Sequence, residues 1–77
     1  MPGKSKKIML NKNDVENYIQ VAKDFYFNDK DNVDELVALN HQFPEYHVGG
    51  FIEDLVRMKK PKTTIFKVLN AIGYGVC

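Results

Sequence analysis

The sequence predicts a small all-α domain of four helices. Three observations predict it: apolar residues recur at helical spacing in four separate stretches, no run alternates apolar and polar residues over the length of a strand, and 77 residues leave room for one hydrophobic core only. An apolar share of 44% and a charged share of 27% place the chain among folded globular domains rather than disordered ones.

Residues 1–10 are expected to form a flexible basic tail, because Pro2, Gly3, Lys4, Lys6 and Lys7 precede only a short apolar anchor, Ile8-Met9-Leu10. Residues 11–77 are then a single helical domain. Asn13, with Glu16 three positions on, has the spacing of a capped helix start. From there Val15, Tyr18, Ile19, Ala22 and Phe25 or Tyr26 form a helical stripe, which Asn28-Asp29-Lys30-Asp31 ends by competing for backbone hydrogen bonds. Asn32 and Glu35 repeat the capping pattern ahead of Val33, Leu36, Val37 and Leu39, and Pro44 forbids continuation past about Phe43.

The third stripe is the clearest: Val48, Phe51, Ile52, Leu55 and Val56 fall at i, i+3, i+4, i+7 and i+8. Pro44-Glu45 suits its first turn, while Gly49-Gly50 is the anomaly, since each glycine costs a helix interior about 1 kcal/mol relative to alanine. Either the helix begins after the pair or another backbone packs against it. Lys59-Lys60-Pro61 terminates this element, Thr63 or Thr64 caps a fourth helix bearing Ile65, Val68, Leu69 and Ile72, and Gly73 is a left-handed stop. A sheet is not expected, except that Gly75-Val76-Cys77 can pair as a short extension in a dimer.

The formal net charge of +1 hides an uneven layout. The first 38 residues carry six lysines against seven acids, and the remainder carries Arg57, Lys59, Lys60, Lys62 and Lys67 against Glu45, Glu53 and Asp54. The cluster from Arg57 to Lys62 can grip phosphates, or serve as a solvated helix end favoured by the dipole. Three consecutive rings, Phe25-Tyr26-Phe27, cannot all face one core, so at least one points outward as a candidate partner anchor. His41 and His47 alone make half a metal site at best, and lone Cys77 has no neighbour to activate it. No catalytic arrangement, metal site or cofactor site is expected, and neither is a membrane segment or disulfide. An intracellular, cytoplasmic location follows as the expectation, in the host cell if the chain is viral.

Residues 60–74, from Lys60-Pro61-Lys62-Thr63-Thr64 through Gly73-Tyr74, resemble the closing helix of the addiction-module antidote proteins, helix-turn-helix antitoxins that repress their own operon. The family's phrase L-K-V-L-x-A-L-G reads here Phe66-Lys67-Val68-Leu69-Asn70-Ala71-Ile72-Gly73. The resemblance implies a helix-turn-helix-like fold with residues 34–40 as its first helix, 41–46 as the turn and 47–58 as the reading helix. It also implies a DNA partner, contacted by Tyr46, His47, Arg57, Lys59, Lys60 and Lys62, and a possible homodimer. The sequence departs from the pattern in its Phe43-Pro44-Glu45 turn and its glycine-bearing reading helix. A second function therefore stands beside the first: a small protein-directed inhibitor or adaptor, for example a viral protein blocking a host or defence complex, with Phe25, Tyr26 and Phe27 facing the partner.

Overall fold

The computed structural model describes residues 8–43 and 47–77. Strand β1 (Ile8–Leu10) leads into helix α1 (Lys12–Phe27), followed by α2 (Val33–Asn40), α3 (Val48–Arg57), α4 (Lys62–Ala71) and strand β2 (Tyr74–Val76). The four expected helices are present, but the fold is not purely helical. Strands β1 and β2 pair in parallel, with Ile8 opposite Tyr74, Met9 opposite Gly75 and Leu10 opposite Val76. The apolar anchor expected at the end of the tail is thus a strand, and the segment 75–77 pairs with residues of its own chain. Too short to show alternation, these strands are stabilised by burial of Leu10 and Tyr74 and by flanking bonds from the Ile8 amide to the Gly73 carbonyl (3.2 Å) and from the Cys77 amide to the Leu10 carbonyl (3.1 Å).

The ladder also decides where α1 begins. The Lys12 amide donates to the Cys77 carbonyl at 2.7 Å, which leaves Asn11 extended at the junction of strand and helix. Asn11, not Asn13, is the cap: its side-chain oxygen accepts from the Asn13 amide (2.8 Å) and the Asp14 amide (3.2 Å). Asn32 precedes α2 as expected but does not cap it. Its side-chain amide instead donates to the Val21 carbonyl at 3.1 Å, tying the loop to α1. The fourth helix starts at Lys62 after extended Pro61, so Thr63 and Thr64 lie inside its first turn.

Helix α1 is the common support, since α2 and α3 each pack against it more than against each other. Val15, Tyr18, Ile19 and Ala22 of α1 share one core with the α3 stripe, of which Val48, Ile52 and Val56 are buried, Leu55 is partly buried and Phe51 is exposed. Each fully buried aliphatic side chain contributes roughly 1.5–3 kcal/mol, before ordering entropy is charged against it. Ile65 and Leu69 close the core from α4. The proposed helix start at Pro44-Glu45 lies outside the described residues.

The glycine pair is explained one residue at a time. Gly49 is buried, and a Cβ there would lie 1.6 Å from Asn40 Oδ1 and 3.1 Å from the Tyr18 hydroxyl, so α2 and α1 both approach it closely. Gly50 faces outward with open space beside it. At the far end, α3 closes with the Lys60 amide bonded to the Leu55 carbonyl (3.0 Å) and the Lys59 amide to the Val56 carbonyl (2.8 Å), a Schellman arrangement. Its left-handed position, normally glycine, is held by Lys59 at φ 60°. Gly73 takes the corresponding place after α4 at φ 108°.

Two stability outcomes follow. In urea denaturation, Gly49→Ala destabilises by about 1–3 kcal/mol through overpacking and Asn40→Ala in the same chain restores most of the loss, whereas Gly50→Ala stabilises by about 0.5–1 kcal/mol. Lys59→Gly raises stability by about 1 kcal/mol, because it relieves a left-handed lysine while leaving the Schellman bonds in place.

Candidate functional site

The C-terminal ends of α1 and α3 lie side by side, and the chain then turns at Pro61 into α4. Between them is an open cleft of about 510 Å³ lined by Lys23, Phe27, Val56, Lys59, Lys60 and Pro61. Lys23 and Phe27, four residues apart, share a face of α1. Val56 is the buried floor, and Phe27 is 46% exposed. The left-handed turn at Lys59 brings its ammonium to 5.5 Å from the centroid of the Phe27 ring, within cation–π range. Among the described residues, none of Lys23, Lys59 and Lys60 is paired with a carboxylate. The cleft combines an apolar floor with three unneutralised cations.

The other basic residues singled out from the sequence have partners. Lys62 Nζ lies 3.3 Å from Glu16 Oε2 across the α1–α4 junction, with both side chains partly exposed. Arg57 pairs with Asp54 at 3.6 Å and also lies 5.8 Å from the centroid of the Tyr26 ring. His47 is exposed at the start of α3, and Tyr46 lies outside the described residues. The structure therefore draws Lys59 and Lys60 together, sets Arg57 and Lys62 apart in ion pairs, and adds Lys23. Lys23 reads in the sequence as one solvated charge among several, and the helical register linking it to Phe27 was the only available signal.

The three consecutive aromatic residues divide their roles. Phe27 enters the cationic cleft. The Tyr26 hydroxyl donates to Glu53 Oε2, and the Phe25 and Tyr26 rings meet edge to face with centroids 5.0 Å apart. Phe25 also helps line a second, smaller cleft of about 160 Å³ with Tyr18, Val33, Leu36, Val37, Asn40 and Glu53. Glu53 therefore turns toward α1 and away from the outward face of α3, where His47, Gly50, Phe51, Asp54 and Arg57 are exposed.

Tyr18 is 3% exposed, and its pKa is pushed up to about 12, first by burial and then by the nearby charge of Glu53 and by Tyr26. Burial, followed by the hydrogen bond to Glu53, also raises Tyr26, against the opposing pull of Arg57. Among the described residues, no group of three or more His, Cys, Asp or Glu side chains is arranged to hold a metal ion, and no helix is long and apolar enough to cross a membrane. Comparison with protein-family models, with curated proteins and with solved structures finds no match to this chain, so a functional reading rests on its own geometry.

The Tyr18 shift sets an alkaline limit on stability. The folded state holds this proton more tightly than the unfolded chain, so the contribution is complete below the ordinary value of 10.0 and is lost as pH rises toward about 12. Unfolding midpoints measured across that window fall more steeply for the native sequence than for Tyr18→Phe.

Proposed function

We propose that this chain is a DNA-binding regulator of the helix-turn-helix antitoxin type, with α2 and α3 as the motif helices and the cationic end of α3 set against the phosphate backbone. The observation that carries this reading is the convergence of Lys23, Lys59 and Lys60, from two different elements, on one unneutralised surface. Phosphate contacts supply most of the non-specific affinity of such proteins, and lysines at a helix end are suited to them. The order of the helices and the Phe66–Gly73 phrase agree with the family resemblance.

Two features of α3 remove objections to the reading. Glu53 keeps its charge but is turned toward α1, where it accepts from the Tyr26 hydroxyl, which sets that charge back from the outward face. Asp54 does face outward, but Arg57 partly offsets its charge. Base reading is sparse, because His47, Phe51 and Arg57 stand on the exposed face beside side-chain-free Gly50. Binding dominated by the backbone, with weak sequence discrimination, is the expected behaviour.

A protein-directed role as an inhibitor or adaptor is the second reading. It is favoured by Val33 and Val37, exposed one turn apart on α2 and lining the smaller cleft beside Phe25.

Anisotropy titrations on a random duplex test the first reading. At low salt the native chain binds, and log affinity falls linearly with log salt. Replacing Lys23, Lys59 and Lys60 by Ala flattens that slope by about 0.9 for each phosphate contact removed. No binding to any duplex at micromolar protein eliminates the DNA reading.

A further inference from the structure

We propose that the cleft between the ends of α1 and α3 is a docking site for an acidic peptide segment of a partner protein, one that carries an aromatic or large aliphatic side chain among its carboxylates. This does not rest on the DNA reading: it gives Lys23, Lys59 and Lys60 a different occupant, so peptide and duplex compete for one surface. A duplex leaves part of this cleft unused. A phosphate backbone brings negative charge but nothing apolar, whereas this cleft offers the exposed ring of Phe27 and Pro61 above the buried Val56.

A neutral or basic partner is excluded by charge. It would cover Lys23, Lys59 and Lys60 without supplying counter-charges, and none of the three has a carboxylate partner among the described residues. An acidic segment with one apolar anchor satisfies both halves of the site: carboxylates meet the ammonium groups at the rim, and the anchor covers the floor. The cleft is open and about 510 Å³, a form that receives a segment lying across it more readily than an enclosed small molecule.

Lys59 occupies a left-handed position where glycine is less strained, and the resulting turn carries its ammonium over Phe27 at the cleft rim. Backbone strain of this kind is found where a side chain is needed in one place. A lysine here costs the fold and serves the cleft.

The test uses fluorescence anisotropy with a dye-labelled peptide consisting of one phenylalanine flanked on each side by three glutamates. Control peptides replace the phenylalanine by alanine or the glutamates by glutamine, and a single-stranded oligonucleotide of equal charge serves as competitor. The acidic phenylalanine peptide binds in a salt-sensitive way, either control change weakens it, and amide shifts on titration centre on Lys23, Phe27, Val56 and Lys59. Phe27→Ala, at an exposed position off the core, weakens binding about tenfold, as loss of an aromatic anchor does. Lys59→Gly weakens it while raising the thermal midpoint, a combination that loss of structure cannot produce.

No peptide binding, binding indifferent to Phe27→Ala, or stronger capture of the oligonucleotide overturns the proposal. So does a peptide-blind chain that pairs with itself through Lys59, which would make a second copy the occupant. Failure here is distinguishable from failure of DNA binding, because the peptide arm needs the phenylalanine in the probe and the duplex arm does not.

Discussion

The packing of the α3 stripe on α1 is the interaction on which the rest of the molecule depends. Val48, Ile52 and Val56 sit at successive turns of one helix face, and Val15, Tyr18, Ile19 and Ala22 provide the facing surface on α1. This contact sets the ends of the two helices side by side, and only that placement brings Lys23 and Phe27 to Lys59 and Lys60. It also requires Gly49, since the close approach of Asn40 and Tyr18 leaves no room for a side chain at that point. Core and cleft are consequences of one alignment.

Charge then divides the two faces of α3. The Tyr26 hydroxyl holds Glu53 inward against α1, while Arg57 accompanies Asp54 on the outside, so both acids of the helix are partnered, whereas among the described residues Lys59 and Lys60 just beyond its end have no carboxylate partner. A net charge of +1 gives no hint of this separation. Electrostatic attraction at a surface depends on local charge, and the cleft brings Lys23, Lys59 and Lys60 together from two parts of the chain.

The short parallel sheet plays a different part. By pairing residues 8–10 with 74–76 it joins the two ends of the described domain, and it positions Asn11 to cap α1. A two-stranded sheet is marginal on its own. Here it is held by Leu10 and Tyr74, whose side chains enter the helical core, while Ile8 and Met9 remain exposed.

The helices themselves were legible from the sequence. Period-3.6 stripes identified all four, and Gly73 marked the end of the last one, because amphipathic spacing and left-handed stops are local properties of the chain. Several features were not legible for the opposite reason. Asn13 with Glu16 has the spacing of a capping pattern, but the strand ladder sets the helix start at Asn11; three-residue strands carry no period, so only their pairing partner reveals them. Of the candidate site, Lys59, Lys60 and Phe27 were named in advance, but their meeting with Lys23, the diversion of Arg57 and Lys62 into ion pairs, and the inward turn of Glu53 depended on how α1 faces α3 and α4. The sequence by itself determined which segments coil and which faces are apolar. The tertiary structure decided which charges remain unpaired, because Coulomb pairing depends on distance across elements that local spacing does not encode.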